Sequence, residues 1–514
     1  MFVKLLMLVI FFATMIFVGI YSRKSVNDVN GFVLGGRSVG PWLTAFAYGT
    51  SYFSAVVFVG YAGQFGWKYG LSSTWIGIGN ALIGSLLAWV LLGRRTRVMT
   101  HHLEAKTMPE FFGKRFESSS LRLVSSLIVF IFLIPYTASV YSGLSSLFGM
   151  AFNFDYKWCV IIMALLTAIY VILGGYMATA INDFIQGIIM LVGIVCVIAA
   201  VLNGQGGFLQ AVSKLSEIPV DPKNTTQALL NMKGPFVSFF GPDPANLLGV
   251  IVLTSLGTLG LPQMVQKFYA IKSEKAVKTG TIVSTLFAVV ISCGCYFLGG
   301  FGRLFDSPAI YGANGVKYDT IIPAMLATLP DVLIGIVVVL VLSASMSTLS
   351  SLVLTSSSTF TLDFLKASVA KNMNDKKQLL MMRFLIIVFI VVSVVLALNP
   401  PTFIAQLMGI SWGALAGAFL APFLYGLFWK KTTRASVWTS FIFGVGITVF
   451  NMFVPLFSPI NCGAIAMLGG LIIVPVVSSF TPKLSKESQE KMFACYEEKV
   501  QVTKKIVLVE EENN

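Results

Sequence analysis

Thr254-Ser255-Leu256-Gly257-Thr258-Leu259-Gly260-Leu261-Pro262-Gln263 reads as an apolar span broken near its middle. Two glycines and a proline fall within six residues, and Pro262 cannot donate to a helical ladder. A second stretch, Ala47-Tyr48-Gly49-Thr50-Ser51-Tyr52-Phe53-Ser54, places Gly49, Thr50 and Ser51 near the middle of a span beginning at Pro41. Each stretch alone also suits a plainer reading: a proline kink for the first, a small-residue packing face for the second. At membrane depth irregular backbone is tolerated only where it is buried in protein or lines a cavity. Unwinding at the breaks would therefore turn freed carbonyls inward, where they can coordinate a hard cation such as Na⁺.

Working outward from these stretches, apolar segments recur at about 4–22, 41–64, 71–93, 122–150, 158–176, 183–203, 245–268, 279–301, 331–355, 380–398, 403–429, 435–456 and 463–480. Of 514 residues, 56% are hydrophobic and only 11% charged, against about 25% charged in soluble domains. The expected fold is an all-α polytopic membrane protein with about 13 transmembrane helices. Five segments fall in 41–203 and five in 245–429, and the broken one comes first in each set. Paired interruptions at corresponding positions point to inverted repeats around a midplane site. The expected layout is an N-terminal helix and cytoplasmic loop (1–40), a first repeat (41–203), an extracellular loop (204–244), a second repeat (245–429), two C-terminal helices (430–480) and a charged, solvated tail (481–514).

The net charge of +14 sits in short loops, which suits contact with anionic lipid rather than nucleic acid. One set of loops holds Arg94, Arg95, Arg97, Lys106, Lys114 and Arg115, and later Lys272, Lys275 and Lys278. The positive-inside rule makes that set cytoplasmic, with the N-terminus outside and the C-terminus inside. The chain is expected in the inner (plasma) membrane of a cell. Enzyme chemistry is not expected: there is no P-loop, no HExxH helix, and His101 and His102 lie apart from the six cysteines. Asn224-Thr225-Thr226 fits a glycosylation sequon that matters only in a eukaryotic host. The expected partners are a small-molecule solute and lipid, with no obligate protein partner evident.

Two further features carry oxygen ligands. In Ser343-Ala344-Ser345-Met346-Ser347-Thr348-Leu349-Ser350-Ser351, Ser347, Ser350 and Ser351 share one helix face. Their hydroxyls suit Na⁺, or equally bond back to carbonyls four residues earlier. Asp183 begins a span. It is either a functional intramembrane acid or an N-terminal helix residue favoured by the dipole at the interface.

Taken in order, Leu34-Gly35-Gly36-Arg37-Ser38-Val39-Gly40-Pro41, Tyr69-Gly70-Leu71, Ile172-Leu173-Gly174-Gly175, Asn182-Asp183 with Gln186-Gly187, Gly260-Leu261-Pro262 and Met346-Ser347-Thr348-Leu349-Ser350 resemble the sodium:solute symporter family across roughly 20 to 435. Within it the bacterial proline and pantothenate carriers look nearest. The resemblance implies a LeuT-like core of two inverted five-helix repeats, and inward transport of a small organic solute coupled to Na⁺ by alternating access. The solute would be of the proline, pantothenate or monocarboxylate class. It further implies a Na⁺ site made by the carbonyls of Thr50, Phe53 and Ala344 with the hydroxyls of Ser347 and Thr348. A further Na⁺ site, present in some members, would use Asp183, Ser350 and Ser351. Candidate solute contacts are Ser51, Tyr52, Tyr136, Thr254, Thr258, Pro262 and Gln263. Proline carriers have an aspartate where this chain has Tyr52, and aromatics where it has Thr254 and Thr258, whereas Tyr136 matches a tyrosine of their pocket. The alternatives are a proton-coupled carrier of a similar solute and a transporter-like solute sensor.

Overall fold

In hydrocarbon every backbone N–H and C=O must be paired within the protein, and the chain meets that demand with helices. The computed structural model describes residues 2–26, 28–152, 155–220, 232–312 and 315–496. The principal helices are α1 (Phe2–Ser22), α2 (Pro41–Tyr52), α3 (residues 56–69), α4 (residues 74–102), α5 (Ser119–Phe152), α6 (Tyr156–Gly204), α7 (Pro244–Gly257) and α8 (Pro262–Ala270). They continue with α9 (Glu274–Gly299), α10 (Asp331–Thr359, running on to Val369), α11 (Asp375–Leu398), α12 (Ile404–Phe428), α13 (Arg434–Phe453) and α14 (Pro459–Phe480). Two short strands, Tyr311–Gly312 and Gly315–Val316, pair antiparallel in the loop before α10.

Eleven helices among the described residues are long and apolar enough to span a membrane, against thirteen segments in the sequence. The difference lies in two long helices that each take in two segments. One runs Val56–His102 through α3 and α4, and the other is the 49-residue α6. At 1.5 Å per residue, α6 would extend about 70 Å if straight, more than twice the roughly 30 Å of hydrocarbon. Its break is at Gly175, with φ 54° and ψ −145°, a conformation essentially closed to residues with a side chain.

Both sequence breaks are real interruptions. α2 ends at Phe53 (φ −101°, ψ 88°), and α7 ends at Gly257 four residues before Leu261 adopts an extended conformation. Pro262 occupies the first turn of a new helix, where its missing N–H costs nothing. The plainer reading of a proline kink inside one helix is thereby corrected. Outside the helices, Val39 N–H donates to the Ala270 carbonyl and Lys272 N–H to the Val39 carbonyl. The start of α2 is thus strapped to the end of α8.

The interior of the bundle is built on α10 and α12, which bury 83% and 89% of their most apolar stretches, against 33% for α1 and for α11. The expectation of a solvated tail is corrected for its first part. Residues 486–496 form a helix with Met492, Phe493 and Cys495 buried. Arg115 lies over the Phe493 ring at 5.0 Å, Arg95 over Tyr496 at 4.9 Å, and a His102 ring nitrogen pairs with the Lys491 carbonyl. The rest of the tail (497–514) and the Asn224 sequon lie outside the described residues.

Candidate functional site

The break after α2 faces the middle of α10, and oxygens converge there. Ser347 Oγ donates to the Thr50 carbonyl at 3.0 Å and lies 3.1 Å from the Ala344 carbonyl. Thr348 Oγ1 sits 3.2 Å from the Thr50 carbonyl, 3.4 Å from that of Ser51 and 3.1 Å from that of Ala344. All of these residues are buried. A hard cation such as Ca²⁺ takes oxygens at about 2.3–2.6 Å, which sets neighbouring ligands roughly 3.3–3.7 Å apart. An expansion of a few tenths of an ångström would therefore admit a cation of that size to this set. The chemistry fits as well, since the donors are uncharged carbonyl and hydroxyl oxygens, the ligands such cations prefer. Four of the five oxygens expected at the first Na⁺ site come together in this way. Phe53 is the residue at which α2 ends, with its ring stacked on Tyr52 at 4.3 Å.

Asp183 is buried two turns past the break at Gly175. It is not in a first helical turn, so the interfacial helix-end reading is corrected. Neither of its carboxylate oxygens has a hydrogen-bond partner among the described residues. The nearest cation is Lys267 of α8, 3.8 Å from Oδ2. Lys267 Nζ also donates to Ser351 Oγ at 2.9 Å and stands 5.2 Å from the centre of the Tyr176 ring. Ser351 Oγ is in turn 2.8 Å from Ser51 Oγ, while Ser350 Oγ donates back to the Ser347 carbonyl. Asp183 and Ser351 of the further Na⁺ set are thus brought to one place, and a lysine ammonium lies between them.

Aromatic rings wall the space between the breaks. Tyr52 stacks with Trp412 of α12 at 6.1 Å, and Tyr136 meets Trp412 edge-on at 5.9 Å. The Tyr136 hydroxyl, the Trp412 Nε1 and both polar ends of Gln263 are buried with no hydrogen-bond partner among the described residues. Three other candidates have their hydroxyls engaged. Tyr52 donates to the Thr254 carbonyl at 2.7 Å, Thr254 to the Val250 carbonyl, and Thr258 to the Gly84 carbonyl at 2.9 Å. Pro262 serves to start α8.

The sequence reading missed Trp412 and Lys267. Trp412 is the one aromatic ring between Gly409 and Gly417, a stretch otherwise of Gly, Ala and Ser with Ile410 and Leu415, a signal available but unread. Lys267 is a charge inside an apolar segment, which is expensive unless paired or functional.

The sodium:solute symporter family model matches residues 32–444. The chain belongs to the sodium:solute symporter family. It is 32% identical to the sodium/proline symporter of Staphylococcus aureus, over 94% of this chain and 93% of that one. It is 28% identical to the osmoregulated proline transporter OpuE of Bacillus subtilis, over 95% and 96% respectively. Among solved structures, a Na⁺-coupled sialic acid symporter in a substrate-bound outward-open state superposes with a TM-score of 0.76 at 19% identity, over 94% of this chain and 99% of that one. The symporter therefore has the LeuT-type fold of Na⁺-coupled carriers. It is a multi-pass membrane transporter of small solutes, not an enzyme.

Proposed function

We propose that this symporter carries proline, or a compact zwitterion like it, into a bacterial cell across the plasma membrane, driven by Na⁺ held between the α2 break and α10. The observation that carries the coupling is the convergence of the Thr50 and Ala344 carbonyls with the Ser347 and Thr348 hydroxyls within 3.0–3.2 Å. The names of the two full-length relatives support the solute class. The aromatic wall supports it too. Where Thr254 and Thr258 offer no ring, Trp412 supplies one from α12, beside Tyr52 and Tyr136. The methylenes of a pyrrolidinium ring pack on such faces and its ammonium is attracted to them, and the Tyr136 and Gln263 polar groups support binding of its carboxylate.

Residues 41–203 and 245–429 form the two inverted repeats in this reading, with the N-terminus outside and the C-terminal tail in the cytoplasm. Ion binding at the α2 break would tie the first broken helix to α10 and favour the solute-competent state, because a ligand shifts an equilibrium only through differential binding. One Na⁺ crossing 100 mV gains about 2.3 kcal/mol, enough for roughly 50-fold accumulation of a neutral solute.

The test is uptake into proteoliposomes of labelled proline, pantothenate, short monocarboxylates, sialic acid and glucose. Proline should accumulate under an inward Na⁺ gradient and stop when K⁺ replaces Na⁺. Accumulation of another compound in its place overturns the solute assignment. Uptake driven by a proton gradient without Na⁺ overturns the coupling ion, and binding without uptake favours a sensor.

A further inference from the structure

We propose that Lys267 is a built-in cation standing where a second Na⁺ would bind, so that each transport cycle carries one Na⁺ per solute. The inference rests on the Na⁺-coupled reading above and adds a stoichiometry to it.

The argument starts from the ligands. Asp183 and Ser351 are buried, and both belong to the set expected to hold a further Na⁺. Lys267 Nζ already takes both of them, donating to Ser351 Oγ at 2.9 Å and lying 3.8 Å from Asp183 Oδ2. The ammonium also has the face of Tyr176 beside it at 5.2 Å, an arrangement that attracts cations. A carboxylate, a hydroxyl and an aromatic face thus surround one positive charge, and Asp183 with Lys267 is already neutral. Adding Na⁺ would leave a net positive charge buried. It would also set two unit charges about 4 Å apart, which at an effective dielectric near 20 weakens ion binding on the order of a thousandfold.

The lysine comes from the second broken helix, and what it reaches is coupled to the first. Ser351 Oγ pairs with Ser51 Oγ at 2.8 Å, and the Ser51 carbonyl lies 3.4 Å from Thr348 Oγ1. The fixed cation is therefore linked through two serines to the oxygens proposed to hold the transported ion. A tethered ammonium can hold α8 against α6 and α10 as a bound ion would. Being covalently attached, it moves no ion across the membrane.

The experiment counts radiolabelled Na⁺ bound by the purified full chain in lipid nanodiscs without solute, so that it does not depend on which solute is carried. The wild type should bind one Na⁺. K267A, which empties the place of the ammonium, should bind two, and the Hill slope of Na⁺-dependent uptake should rise from about one towards two. K267Q keeps a donor for Ser351 and most of the side-chain volume, so it is the variant to use if K267A does not fold. It too should gain a second ion, and K267R should stay at one. A wild type that binds two Na⁺ overturns the proposal. So does a wild type that binds one while neither neutral variant gains another, because something other than the lysine then excludes the ion. A wild type that binds none fails differently, by removing the Na⁺-coupled reading on which the proposal rests.

Discussion

Replacing Thr348 with alanine removes one oxygen from the convergence between α2 and α10 and leaves the backbone in place. The lost atom is the hydroxyl that lies 3.2 Å from the Thr50 carbonyl and 3.1 Å from that of Ala344. Interactions between a hydroxyl and a charged partner are worth roughly 1.5–3 kcal/mol, so the half-saturating Na⁺ concentration should rise about 10- to 150-fold. The same hydroxyl ties α10 to α2 when no ion is bound, and losing that bond costs about 1 kcal/mol of stability. That is small enough for the variant to fold and insert. The assay is initial-rate uptake into proteoliposomes over a wide range of Na⁺, with ionic strength held constant by choline. The maximal rate should be approached again at high Na⁺, and Thr348→Ser, which keeps the oxygen, should restore the wild-type midpoint. A Thr348→Ala protein with wild-type Na⁺ dependence would refute the placement of the ion at this break, however well the fold is understood.

Asp319 lies outside the spanning helices with Oδ2 accepting from the Ile404 N–H at 3.2 Å. Burial raises its pKa from 3.8 to about 6 despite that bond. The folded chain therefore holds this proton more tightly than the unfolded chain, and stability is lost as pH rises through about 4 to 6. Asp319→Asn should raise the unfolding temperature at pH 8, by a gain of up to roughly 3 kcal/mol. The gain should shrink as pH falls towards 4, and a gain independent of pH would refute the cause. Gly175→Ala sets a Cβ 2.8 Å from the Phe32 backbone at a positive φ and should abolish recovery of monodisperse protein. Gly204→Ala in the same helix, with open space around it, should not. Trp412→Leu should raise the half-saturating solute concentration about 2- to 12-fold, the value of a lost aromatic pair, and leave Na⁺ binding unchanged. Unaltered solute affinity would remove Trp412 from the pocket.

What the sequence disclosed, and what it did not, follows from the range of the forces involved. The breaks at 53 and 258–261 were legible because glycine and proline act on their own turn of backbone. The hydroxyl face at Ser347, Ser350 and Ser351 was legible because helical spacing is local. The break at Gly175 was legible as the boundary between the segments at 158–176 and 183–203. Gly174-Gly175 marked it, because a glycine pair acts on its own turn of backbone. The partner of Asp183 could not be read at all, since Lys267 is 84 residues from Ser351 and equally far from Asp183. A contact over that separation is decided by how α6, α8 and α10 pack. The tail was misjudged for a related reason. Charged residues such as Lys499, Lys504, Lys505 and Glu510 suggested a solvated segment, while the apolar residues before them, Met492, Phe493 and Cys495, are buried where residues 486–496 dock.

That docking has a consequence for the order of biogenesis. Arg115 and Phe493, whose groups stand 5.0 Å apart, are made 378 residues apart. At about 5–20 residues per second the interval is roughly 20–75 s. Within it the end of α12 arrives first, its Gly426 and Leu427 carbonyls accepting from Arg115 and Arg95, while the contacts to Lys491, Phe493 and Tyr496 wait for the tail. This face of the transporter is completed last, after the spanning helices among the described residues have all been synthesised. Early release of the nascent chain would leave a full set of spanning helices with that surface only partly covered, a form that quality-control proteases could distinguish from the finished carrier.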